Sequence, residues 1–168
     1  MGKYLKHEDG RIVEDQGIDS SAGSADADKL IKTDTDGLLD ESFLPAGVGA
    51  DLRNIEADET LDARDMVNVF NDSGTPKVRK ADATEAGKEV HGYVKDGVSA
   101  AATAEVFFSG VITGLTGLTP GARQYMSTTA GDLTETAPSA SGNIVQKVGV
   151  AVASDAMVFS PQEPIELI

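Results

Sequence analysis

Met66–Ala81, MVNVFNDSGTPKVRKA, is the stretch whose reading decides the fold. Met66-Val67-Asn68-Val69-Phe70 alternates and is rich in β-formers. Asn71-Asp72-Ser73-Gly74 signals a turn, and Lys77-Val78-Arg79-Lys80-Ala81 runs back. A period of two on both sides of a glycine-ended turn predicts an antiparallel hairpin.

The same texture continues toward the C-terminus. Glu89–Val94 reads as a strand around Gly92, and Lys95-Asp96-Gly97 as a turn. Ala104–Phe108 is a further strand, which Gly110-Val111-Ile112 continues past a break. Leu115–Gly121 reads as a loop whose leucines plug the end of a barrel or sandwich, with Pro120-Gly121 at the centre of a type II turn. Arg123–Ser127 is a short strand, Thr128–Gly142 a long turn-rich stretch, and Ile144–Val152 the clearest long strand. Ala156–Phe159 follows, and Ile165–Ile168 alternates as a last edge strand after Pro161 and Pro164. Short segments at about ten-residue spacing, separated by turn residues, predict an all-β domain over 61–168, a small antiparallel β-sandwich or barrel. No sustained helical period is present; Ala81–Lys88 could form one turn at most.

Working the other way, residues 1–60 read as an extended polar arm. Residues 14–29, EDQGIDSSAGSADADK, are small, acidic and turn-forming. Such a segment cannot bury enough apolar area to offset its ordering entropy, so it orders only against something else. A hairpin is expected near 30–40: Leu30–Thr33 and Leu38-Leu39 flank Asp34-Thr35-Asp36-Gly37, with Gly37 supplying the positive φ. Asp34 and Asp36 do not make a calcium loop. Placing them at the third and fifth loop positions puts Lys32 first and Phe43 twelfth, and neither coordinates calcium.

Composition sets further bounds. The chain has 168 residues, 14 basic and 28 acidic, for a net charge of −14, so phosphate backbones repel it and no nucleic-acid partner is expected. Cysteine is absent, which excludes disulfides and thiolate metal sites and fits folding in a reducing cytoplasm. MGKYLKHEDG lacks the apolar stretch of a signal peptide, and no run approaches the roughly 18 apolar residues that span a membrane, so no membrane partner is expected.

Catalytic chemistry finds little footing. His7 and His91 have no acidic or thiol partner at ligand spacing, so His91 reads as a strand-surface or interface residue. The serines and threonines of 127–142 lack a nucleophile-elbow setting, and Asp132 and Glu135 sit in a polar loop with no evident reason for a perturbed pKa. No phosphate-cradling or dinucleotide glycine motif occurs. The expectation is a non-enzyme with no cofactor and no metal.

Val111–Ala122 (VITGLTGLTPGA), Gln124–Thr134 (QYMSTTAGDLT) and Thr136–Ala151 (TAPSASGNIVQKVGVA) together resemble a β-domain of tailed-phage structural proteins, especially capsid cement or decoration proteins and head or tail fibres. Val78–Ala83 and His91–Val94 fit the front half of that domain, and the likeness covers about 75–168. Lys29–Asp40 and Leu44–Gly47 are similar to the leader ahead of such domains. This sequence departs from the pattern at Met126, where leucine is favoured, and at Arg123-Gln124, where a second aromatic is common. The resemblance implies a virion protein made in the host cytoplasm that binds the outer capsid surface. Its implied partners are the major capsid protein and itself, as a homotrimer, and its implied role is to cement the head. A head- or tail-fibre component with an attachment role is the alternative. Leu30, Ile31, Leu38, Leu39, Phe43 and Leu44 are the candidate capsid or inter-subunit contacts; self-packing beneath the β-domain is the other reading of the same residues.

Overall fold

A computed structural model describes residues 3–35, 37–44 and 51–168. The chain divides into two compact units, Met1–Gly49 and Ala50–Ile168.

In the first unit, β1 (Lys3–Glu8) and β2 (Arg11–Gln16) form an antiparallel hairpin. Asp9 and Gly10 close it with φ of 48° and 77°. Two positive φ values in a two-residue loop match the right-handed twist of the flanking strands, and Asp-Gly tolerates them. Single 3-10 turns follow at Gly23–Asp26 and Glu41–Phe43, and one parallel bridge joins Ile18 to Ile31.

Among the described residues, the hairpin expected near 30–40 has no paired strands. Its turn exists: Gly37 has φ +79°, and the Asp34 N–H donates to the Leu38 carbonyl at 2.9 Å. The Leu38 N–H, however, donates to the Asp34 Oδ1 at 2.9 Å. A short acidic side chain thus takes a donor that a ladder needs. Asp36 itself lies outside the described residues.

The second unit begins at β3 (Leu52–Ala57), inside the segment that the sequence reading placed in the arm, whose boundary it drew at 60/61. After it come β4 (Met66–Asp72), β5 (Thr75–Lys80), β6 (Gly92–Val94) and β7 (Thr103–Phe107). These five close a barrel in the order β3-β5-β4-β6-β7. The predicted hairpin is β4–β5, with Ser73 and Gly74 at φ 53° and 95°. One pairing in the barrel, β3 with β5, is parallel rather than antiparallel.

Next are β8 (Gly110–Thr113), β9 (Arg123–Met126), β10 (Leu133–Thr134), β11 (Ile144–Val145), β12 (Lys147–Ala153), β13 (Ala156–Phe159) and β14 (Ile165–Glu166). A five-stranded antiparallel sheet runs β10-β9-β12-β13-β8, and β11 pairs with β14 apart from it. The all-β expectation therefore holds, with a barrel and a sheet both present. Two details differ from the sequence reading. Gly110 has φ +118°, so β8 leaves β7 for the other sheet instead of continuing it. The long strand at 144–152 breaks at Gln146, whose side-chain amide pairs with the Val90 backbone: Val90 N–H donates to Oε1 at 2.7 Å and Nε2 donates to the Val90 carbonyl at 3.0 Å.

Alternation along the barrel strands builds two cores at once. Val67, Val94 and Val106 point into the barrel with Ala57, Leu61, Val78 and Ala104. Their chain neighbours Met66, Tyr93 and Phe107 point outward and pack with Ile112, Met126, Val148, Met157 and Phe159 of the sheet. Tyr93 stacks on Phe107 with centroids 5.4 Å apart and meets Phe159 edge-on at 5.1 Å. Leu115 and Leu118, expected to plug the end of a barrel or sandwich, pack against this second core.

Candidate functional site

None of the described residues in 3–44 is buried. Cross-strand register places Leu5 opposite Glu14 and Ile12 opposite His7, so all four share one face of the first hairpin. Leu5 and Ile12 are 72% and 73% exposed on that face. Polar contacts hold the unit instead of a core. Lys3 pairs with Glu14, Lys6 with Asp15 at 2.8 Å, Lys29 with Asp26 at 2.6 Å and Lys32 with Asp19 at 2.9 Å. Hydrogen bonds from these lysines, joined by backbone N–H groups, hold the carboxyls of Asp15 and Asp26 below their ordinary range. Exposed pairs of this kind contribute little stability each.

The residues singled out from sequence lie in this unit. Leu30, Ile31, Leu38, Leu39 and Leu44 are exposed, and Phe43 is half-buried. Leu30 and Ile31 are brought beside Ile18: the Ile18 N–H donates to the Leu30 carbonyl and the Lys32 N–H to the Ile18 carbonyl, each at 2.9 Å. Sequence reasoning missed Leu5 and Ile12. The signal was present, since KYLKHE and RIVEDQ are alternating runs around Asp9-Gly10.

The β-domain's concavities are lined by side chains that have structural partners. The cleft between Arg64-Asp65, the Gly114–Leu118 loop and Gly131–Leu133 measures about 400 Å³. The Asp65 carboxylate is occupied, accepting from the Asp62 N–H at 2.8 Å and pairing with Lys80 at 3.1 Å. Burial pushes its pKa up despite these partners. Its role is to clamp the β3–β4 connection against Gly131, where a Cβ would strike its carboxylate at 2.7 Å. Glu135, read from sequence as unremarkable, accepts from the Thr119 N–H at 2.6 Å and from Gln124 Nε2 at 3.2 Å. The Thr119 bond is the main reason its carboxyl lies below the ordinary range, and the pair ties the leucine loop to β9. The ring Nδ1 of His91 accepts from the Val69 N–H at 3.1 Å, which places the imidazole on the barrel surface. Among the described residues no three His, Asp or Glu stand together as metal ligands.

No protein-family model matches the sequence, and no curated protein is significantly similar to it.

Proposed function

We propose that this chain is a tailed-phage virion protein that binds the outer capsid surface through its leading unit and cements the head as a homotrimer. The role is structural, with no reaction catalysed. The observation that carries this reading is the leading unit, which has ordered strands and no buried residue among those described. A two-stranded hairpin is marginal in water without a surface to cover its apolar face. Here that face presents Leu5 and Ile12, while Leu38 and Leu39 stand 65% and 57% exposed further along. The chain's net charge of −14 directs it to basic patches on its partner, here the major capsid protein. Many modest contacts repeated over a shell then act together against internal pressure.

The test mixes the full chain with capsids lacking it and measures co-sedimentation and the temperature of shell rupture. Binding and a raised rupture temperature are expected. Full-length chain carrying Leu5→Ser, Leu38→Ser and Leu39→Ser should stay folded and lose binding. Wild-type chain that neither pellets with capsids nor shifts rupture would overturn the cement role.

A further inference from the structure

The barrel is closed, but the five-stranded sheet ends in β8, which among the described residues pairs on one side only, with β13. The Thr113 carbonyl accepts the Arg64 Nε–H at 2.9 Å, so it is turned away from β13. Backbone groups alternate sides along a strand, and Val111, two residues earlier, therefore presents its own N–H and C=O to the same open side. Its side chain is half-exposed and starts a cross-strand row, Val111–Val158–Val150, on the outer face of the sheet.

A groove of about 200 Å³ runs beside this edge, lined by Arg64, Lys95, Asp96 and Val111–Thr113. Two cations and one carboxylate make it a basic spot on a strongly acidic chain. Among the described residues neither cation has a carboxylate partner; Arg64 holds the Thr113 carbonyl, and Lys95 rests 4.1 Å over the Phe107 ring. Arg64 sits at φ +73°, a backbone region that costs a non-glycine residue free energy and persists only where surroundings impose it. Its guanidinium packs so closely on Gly114 that a Cβ there would collide with it.

We infer that β8 accepts an added strand from a second copy of this chain, the segment Gly37–Leu44 (GLLDESFL). This deepens the proposed function and rests on its reading that the chain is a homotrimer whose leading unit needs a partner surface. The segment belongs to no ladder, and its leucines are exposed. In an extended strand, alternation puts Leu39 and Phe43 on one face, toward the valine row, and Asp40 on the other, toward the two cations. Extending it would release the 3-10 turn at Glu41–Phe43, closed by the Phe43 N–H donating to the Asp40 carbonyl at 3.2 Å, and the exposed bonds of Ser42, whose N–H donates to Asp40 Oδ1 at 2.9 Å and whose Oγ accepts the Ser21 N–H at 2.7 Å. Strand addition supplies backbone hydrogen bonds, and alternate side chains supply selectivity. An acidic strand fits this groove and a basic one does not.

The experiment is sedimentation velocity on the full-length chain with Val111→Pro, Lys95→Glu and wild type, each checked for fold by circular dichroism. Val111→Pro removes the outward N–H and leaves the β13 ladder intact, which an edge strand tolerates. Self-association of the wild type should weaken on the order of tenfold or more in both variants. Excess synthetic GLLDESFL should dissociate the wild-type oligomer. Wild type that stays monomeric, or folded variants that both associate like wild type, would overturn the inference. Capsid co-sedimentation separates the two readings. Association through β8 without capsid binding defeats the cement role alone; capsid binding with association unaffected by either variant defeats the strand-exchange site alone.

Discussion

Two hairpins in this molecule are built alike and placed differently. β1–β2 and β4–β5 pair strands of six or seven residues across a two-residue turn with both φ values positive, Asp9-Gly10 in one and Ser73-Gly74 in the other. In β4 the adjacent Met66 and Val67 are both fully buried, one in each core, whereas Leu5 and Ile12 of the first hairpin face solvent. Turn chemistry and register are therefore enough to specify a hairpin, and only burial makes it stable. The difference assigns stability to one region and surface chemistry to the other.

The largest test of that contrast is Tyr93→Ala. Tyr93 is 1% exposed, lies between the Phe107 and Phe159 rings, and donates to the Ser109 carbonyl at 3.4 Å. Its removal opens a cavity where barrel meets sheet and should cost about 3–5 kcal/mol in denaturant unfolding. Leu5→Ala and Ile12→Ala together should cost less than about 0.5 kcal/mol, as exposed positions do. Equal costs in the two regions would erase the distinction.

Gln146→Leu is expected to be intermediate. Gln146 is 4% exposed and bonds both the N–H and C=O of Val90, as well as the Gln162 carbonyl at 3.0 Å. A leucine would keep the volume and strand the buried Val90 N–H, at about 1–3 kcal/mol. A thermal midpoint unchanged by this substitution would show that the amide is not what joins β6's approach to the β11–β12 break.

Legibility in the sequence follows the same division. Strands bounded by strong turn signals, such as β4–β5 around Asn71–Gly74, were readable because period and turn agree. Gly110–Ile112 read as continuing β7 past a break because only the φ of Gly110, invisible in composition, moves the chain to another sheet. Gln146 was hidden inside an apolar alternating run, since a side chain that substitutes for a backbone partner leaves no periodic trace. The first hairpin was overlooked for the opposite reason: the polarity of residues 1–60 outweighed the local Asp9-Gly10 signal. Within the candidate surface, the exposed leucines of 30–44 were legible as apolar residues without a core. Arg64 and Lys95 were not, because a groove beside a sheet edge depends on pairings distant in sequence.

The smallest effect expected is a selective loosening of the leading unit in acid. Lys6 and the Gln16 N–H hold the Asp15 carboxyl below its ordinary value of 3.8, and Lys32 does the same for Asp19. A depressed carboxyl stabilises the folded form above its unfolded pKa, and that contribution is lost as pH falls through the lower folded value. Asp65 in the β-domain has the opposite sign: burial raises its pKa, so its ionisation disfavours the fold as pH rises and is relieved as pH falls. Asp72, lowered by Lys77, follows the leading unit's direction, but it sits at the end of a strand anchored by both cores. Between about pH 6 and about pH 2.5, amide exchange in residues 3–16 should therefore become unprotected before that of β4, β6 and β7. About 1 M salt at neutral pH should loosen the same residues by screening the exposed lysine pairs. If both regions lost protection together on acidification, ion pairs would not be what holds the first hairpin, and an unrecognised apolar contact would have to take their place.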